Sequence, residues 1–139
     1  MKEELLAKFS QDTYAKMLGI SIRDVEPGYA EVEMKVTEEM LNFHGHTNGG
    51  AIFSLADVAF ACASNSYGKT AVGITMTMHY MKAGVVNENL VAVAKEDSKS
   101  RRLGLYRIEV LNEQQEMIAL AEGMVYRMEK FFVENAQDE

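Results

Sequence analysis

The chain has one cysteine, one proline and no tryptophan in 139 residues. A lone thiol, Cys62, cannot close an intramolecular disulfide, which excludes a disulfide-stapled scaffold and makes a reducing compartment the default. Cations are in short supply: 14 Lys and Arg stand against 21 Asp and Glu, a formal net charge of -7. That balance excludes nonspecific nucleic-acid binding as the main activity, because such binding needs a broad basic surface. A polyanionic small ligand needs only a local basic patch and stays open. No apolar run reaches the roughly 20 residues of a membrane-spanning helix, and the longest is interrupted by Asp57. The N-terminus carries Glu3 and Glu4 and lacks a long apolar stretch, so it does not read as a secretory signal. The expected location is cytoplasmic, with neither a membrane nor a nucleic acid as partner.

What is present describes one folded domain over 1–139. The chain is 47% hydrophobic and 25% charged, a balance that suits a globular core of this length. No internal repeat, linker or low-complexity tract divides it. Leu5, Leu6, Phe9, Tyr14 and Met17 approximate a helical stripe that predicts an amphipathic N-terminal helix over 1–18, ending at Gly19. Ile20 to Val25 reads as a strand, and Glu26-Pro27-Gly28 places Pro and Gly as a type II turn favours. From Ala30 to Val36 apolar and charged residues alternate without a slip, the pattern of a half-buried antiparallel strand.

A loop rich in Asn, His and Gly then leads into an apolar helix from about Gly50 to Ser66. Val72, Ile74, Met76, Met78 and Tyr80 recur at period two, with Gly73, Thr75, Thr77 and His79 opposite, and predict a long strand. Asn89 to Lys95, Leu103 to Leu111 and Met117 to Arg127 predict three more, the last two joined by a polar turn. The tail, 129–139, is acidic apart from Phe131, Phe132 and Val133, and no function attaches to it. This order predicts an α+β arrangement in which an antiparallel sheet wraps around one long helix.

The helix carries the chemistry. From Ala51 to Ala63 its only charge is Asp57, in a run apolar on nearly every side, which predicts a buried carboxylate. Such a group is costly without a use or a partner. Gly49 and Gly50 sit where the helix begins, so their N–H groups have no intrahelical acceptor and mark the positive end of the helix dipole. A site of that kind can polarise a carbonyl. Asp57 lies eight residues on, roughly 12 Å down the axis, too far for one reacting carbonyl to touch both. If the two cooperate, Gly49 of one subunit meets Asp57 of another, which predicts a homodimer with two shared sites.

The block Asn42-x-His44-Gly45, Gly49-Gly50, Phe53, Leu55-Ala56-Asp57, Ala59-Phe60 and Asn65-Ser66 resembles the hotdog-fold acyl-CoA thioesterases, specifically the phenylacetate-pathway or PaaI-type branch. The resemblance continues through Tyr80-Met81-Lys82-Ala83-Gly84 and covers about Gly19 to Arg127. It implies a hotdog fold, an acyl-CoA substrate of which coenzyme A is a part, no separate cofactor, and dimers that often pair into tetramers. It also implies roles: Asp57 as nucleophile or general base, Gly49 as the N–H that polarises the thioester carbonyl, and Asn42 as the amide that places water or substrate.

Two positions depart from the family pattern. Asn48 stands where His is usual; it can cap the helix but cannot carry an imidazolium charge. Gly73 stands where the family frequently has Ser, with Thr75 on the same face as the substitute. Asn48, Gly50 and Thr75 are therefore the supporting residues.

Lys95, Lys99, Arg101 and Arg102 form the one basic stretch in an acidic chain, and arginine forks suit the phosphates of coenzyme A. The resemblance assigns nucleotide binding to this region, here Lys99, Arg101 and Arg102, with Lys82 as a further cation; a solvated loop is the bland alternative. His44 and His46 lack the Cys or carboxylate companions of a metal site, and loop hydrogen bonding explains them better. His79 reads as structural, Met76, Met78 and Met81 as core filler, and Cys62 as a small core residue. Beside thioester hydrolysis stands a second class of function, an acyl-CoA binding protein of the same fold without turnover. A hydratase is placed last, because it wants a catalytic histidine that neither His44 nor His46 supplies at the helix start.

Overall fold

In the computed structural model, which describes residues 1–134, six antiparallel strands form one sheet in the order β1-β2-β4-β5-β6-β3. The strands are β1 (Ser21–Glu26), β2 (Tyr29–Lys35), β3 (Lys69–Tyr80), β4 (Asn89–Lys99), β5 (Leu103–Leu111) and β6 (Met117–Phe131). The chain leaves β2 and crosses the inner face of the sheet as α3 (Gly49–Ser64) before it forms β3 at the far edge. That crossing puts the apolar helix inside the curl of the sheet, as the sequence predicts.

The β1–β2 hairpin turns at Gly28 with φ +73°, and Glu26 pairs with Tyr29, so the glycine supplies the positive φ that the turn needs. In β2 the alternation holds: Ala30, Val32 and Met34 are buried while Glu31 and Glu33 look outward. The same rule buries Leu90, Ala92 and Ala94 of β4 and Tyr106, Ile108 and Val110 of β5 against Ile52, Leu55, Ala59 and Phe60 of α3. Phe60 fills a slot that two glycines leave open. A Cβ at Gly123 would lie 2.8–3.1 Å from three atoms of the Phe60 ring, and one at Gly73 would lie 3.0 Å from it. Gly123→Ala is expected to cost about 1–3 kcal/mol by overpacking, read as a fall in denaturation midpoint that Phe60→Leu in the same chain reverses in part.

Three expectations need correction. The N-terminal segment is two helices, α1 (Lys2–Phe9) and α2 (Thr13–Met17), because the Asp12 carboxylate accepts the Ala15 N–H at 2.9 Å and starts a new helix. The period-two pattern of β3 does not persist: the register shift between Gly73 and Thr75 changes faces, so Met76 and Met78 pack on the core while Val72, paired with exposed Tyr126, and Ile74 at the shift are exposed. Third, β6 runs on to Phe131; Phe132 then packs against Phe9 at 5.4 Å, and Val133 is buried. The remainder of the acidic tail, 135–139, lies outside the described residues. Among the described residues no helix is long and apolar enough to cross a membrane.

Candidate active site

The loop before α3 is built around Asn42. Its Oδ1 accepts the N–H groups of His44 at 2.9 Å and His46 at 3.2 Å, and its backbone N–H donates to the His46 carbonyl at 2.7 Å. The side-chain oxygen thus shapes the loop through the backbone of residues 44 and 46, and the side chains of His44 and His46 are exposed. Among the described residues no group of three His, Cys, Asp or Glu side chains is arranged to hold a metal.

Asn48 caps α3 by accepting the Gly50 N–H at 2.7 Å. An amide therefore does here what capping chemistry requires, and α3 begins at Gly49, one residue earlier than the sequence suggests. Gly49 lines a cleft of about 360 Å³ together with Asn42, Thr47, Tyr80 and Lys82. The sequence marks Tyr80 as a strand and motif position but not as a site residue: its hydroxyl donates to the Gly49 carbonyl at 3.0 Å across 31 residues of chain.

Asp57 lies on the same unbroken helix, about 12 Å from Gly49 at 1.5 Å per residue, so a single chain does not bring the two together. In the single chain Asp57 is exposed, against the expectation of a buried carboxylate. The reason is the position of α3: the sheet covers one side of the helix, and Asp57 occupies another, toward α2. Its carboxyl is nevertheless held above the ordinary aspartate range, first by the protein packed around it and then by the negative charge of Asp12. Exposure and shift are compatible, since a group can touch water while protein fills much of its wider surroundings.

The α1–α2 segment stands over the next turns of α3. The hydroxyls of Tyr14 and Ser54 are 3.0 Å apart, and a cavity of about 670 Å³ lies between Leu6, Phe9 and Ile20 on one side and Val58 and Cys62 on the other. Cys62 is buried, and its thiol is pushed up to about 12 by burial first and by Asp12 second, which makes it inert core as the sequence suggests.

The basic residues do not form one patch in a single chain. Arg102 and Arg101 reach Glu129 at 2.8 and 3.4 Å, and Lys99 lies 3.8 Å from the centre of the Tyr67 ring. Lys82 pairs with Glu116 at the other end of the sheet. Leu103 faces Tyr126 while Tyr80 faces Ala119, so about 24 Å of β6 separates the two ends at about 3.4 Å per residue. Thr75 does not share a face with Gly73 as expected: the register shift pairs Gly73 with buried Val125 and Thr75 with the next residue, Met124, so Gly73 faces Phe60 and Thr75 is exposed on the other side of the sheet.

The thioesterase superfamily model matches residues 44–119, which contain the start of α3, Asp57 and β3 to β5. The chain belongs to the thioesterase superfamily. Within it the chain is 41% identical over 122 residues to the acyl-coenzyme A thioesterase PaaI of Escherichia coli K12, covering 88% of this chain and 87% of that one. The solved structure of the E. coli PaaI protein from the phenylacetic acid degradation operon superposes with a TM-score of 0.91 at 38% identity over 94% of both chains. A mutant of the phenylacetic acid degradation protein PaaI from Thermus thermophilus gives 0.81 at 37% identity, over 84% of this chain and all of that one. A Streptococcus mutans protein bound to acetyl CoA gives 0.77 at 25% identity, over 81% and 90%. The fold is the hotdog fold, and the chain is a PaaI-type member of the superfamily, as its helix-start block suggests.

Proposed function

We propose that this protein hydrolyses an acyl-CoA thioester to a free acid and coenzyme A. The observation that carries the proposal is the pairing of a glycine helix start with a carboxylate of raised pKa on the same helix, in a chain that shares most of its length with an acyl-coenzyme A thioesterase. In this reading the Gly49 N–H polarises the thioester carbonyl and Asp57 either attacks the acyl carbon or takes a proton from water. Asn42 shapes the loop that positions these groups, and Asn48 and Gly50 fix the first turn of α3. Arg101, Arg102 and Lys99 are the cations offered to the phosphates of coenzyme A; Lys82, at the opposite end of the sheet in one chain, would join them only from a second chain.

The 12 Å between Gly49 and Asp57, about eight residues of rise along α3, requires two chains for one site. The surface assigned to the dimer is the edge strand β3, whose Val72 and Ile74 are 44% and 51% exposed and whose outer backbone groups face no strand among the described residues. Pairing of dimers into tetramers is a further part of the proposal.

Steady-state hydrolysis of phenylacetyl-CoA, hydroxybenzoyl-CoA and straight-chain acyl-CoAs tests the reading, together with the mass in solution by light scattering. Saturable binding without turnover across the panel would instead support an acyl-CoA binding protein. A monomer that hydrolyses acyl-CoA would remove the shared site.

The acid limb of the pH profile is also expected to depend on Asp12. Its charge holds the Asp57 pKa up, so Asp12→Asn is expected to lower that pKa and move the acid limb of kcat/KM to lower pH. Asparagine keeps the cap of α2, so thermal stability should barely change. A limb that stays in place would show that Asp12 does not govern the ionisation of Asp57.

A further inference from the structure

Two consecutive glycines give the start of α3 a permissive backbone, yet an N–H that polarises a carbonyl must keep its direction to a fraction of an ångström. The peptide joining Gly49 to Gly50 is held from both ends. Its N–H, from Gly50, donates to Asn48 Oδ1 at 2.7 Å, and its carbonyl, from Gly49, accepts the Tyr80 hydroxyl at 3.0 Å. The Tyr80 ring also lies against Gly49, since a Cβ there would be 3.2 Å from Cζ and 3.3 Å from Cε1 of that ring. Tyr80 is itself fixed: it ends β3 in register with buried Ala119, and the next residue, Met81, donates its N–H to the Ile118 carbonyl at 2.8 Å.

We infer that Tyr80 is a positioning residue for the thioester site: its hydroxyl holds the Gly49 carbonyl, on the far side of the Gly49 Cα from the peptide that carries the Gly49 N–H, and so restricts the Gly49 torsions through which that N–H is aimed at the substrate carbonyl. The inference rests on the proposed role of Gly49. Ring and hydroxyl have separable functions. The ring packs against Gly49, where an added Cβ would push it aside by a few tenths of an ångström, and the hydroxyl ties the Gly49 carbonyl to the end of β3. Without the hydroxyl the peptide keeps its Asn48 contact and the helix's own bond to the Gly49 carbonyl but loses its one tie to β3, which loosens the first turn of α3 against the cleft.

Tyr80→Phe separates the two functions. Because the clamp acts on carbonyl polarisation and not on coenzyme A contacts, kcat for phenylacetyl-CoA is expected to fall about tenfold with KM changed by less than about twofold. The fall should persist across the pH profile without shifting its acid limb. A purely structural loss would lower the melting temperature and leave kcat per folded enzyme intact.

A second measurement reads the carbonyl directly. Phenylacetyl-CoA isotope-labelled at its thioester carbonyl is bound to the Asp57→Asn variant, and its infrared stretch is compared with that of free ester. The stretch is expected to be lowered on binding, and to return toward the free value in Asp57→Asn/Tyr80→Phe. Equal lowering with and without the hydroxyl overturns the role of Tyr80 and leaves that of Gly49 standing. No lowering in Asp57→Asn alone overturns the Gly49 role and the Tyr80 inference with it.

Discussion

Asp57→Asn is expected to lower kcat for the preferred acyl-CoA by about 100- to 10,000-fold, with acyl-CoA binding retained. Asparagine is close in shape to aspartate but can neither attack an acyl carbon as a carboxylate nor accept a proton from water. Both routes open to this site need that ionised oxygen, so the loss does not depend on which of them operates. Asp57 makes the expectation specific because its carboxyl is held above the usual range by packing and by Asp12. A raised pKa makes the ionised carboxylate a stronger base than an ordinary aspartate. The activity of the wild type should therefore fade as pH drops through that raised value, and the residual rate of Asp57→Asn should lack this limb. The check is steady-state hydrolysis against pH, with binding measured separately by calorimetry. Wild-type turnover in the variant would remove Asp57 from the chemistry.

The parts of the fold that were legible in sequence are those fixed by neighbours along the chain. The alternation from Ala30 to Val36 depends on pleat alone, the Pro27-Gly28 turn on two residues, and the Asn48 cap on a contact two residues long. The strand order and the exposure of Asp57 depend on where α3 lies against the sheet, which no local pattern encodes. The break at Asp12 was local and was missed, because the apolar stripe from Leu5 to Met17 outweighed the capping carboxylate. Within the site, Asp57, Gly49 and Asn48 stood out as residues of unusual chemistry in their setting. Tyr80 did not, because a tyrosine at the end of a strand is ordinary until its hydroxyl is seen to meet a carbonyl 31 residues away. The basic residues illustrate the reverse: Lys82 looked like a partner of Arg101 and Arg102, and the register of β6 sets them at opposite ends of the sheet.

Arg127→Ala is expected to be the most destabilising of these substitutions, at about 3–5 kcal/mol, with the melting temperature falling on the order of 10 °C. The side chains of Arg127 and Glu96 are 6% and 16% exposed, and the guanidinium donates to Glu96 Oε2 at 3.0 Å and to the Tyr106 hydroxyl at 3.1 Å. Glu96 also accepts the hydroxyls of Tyr106 at 2.7 Å and Tyr67 at 2.8 Å, so one carboxylate ties β4, β5, β6 and the end of α3 together. Removing the cation leaves that carboxylate in a mostly dry setting with neutral donors only, and it leaves a void beside the Tyr67 ring, 5.0 Å from the guanidinium. The Tyr106 hydroxyl, pushed above its ordinary range by burial and by its bond to Glu96, stays a neutral donor and supplies no charge in place of the guanidinium. The arrangement is also costly to maintain, since Arg127 Nε is buried without a partner among the described residues. Replacing both charges with neutral groups of similar volume, as in Arg127→Met with Glu96→Gln, should therefore cost clearly less than the sum of the two single changes. Chemical denaturation of the four proteins closes the cycle: additive losses would mean that water reaches the pair and that it contributes no more than a surface ion pair.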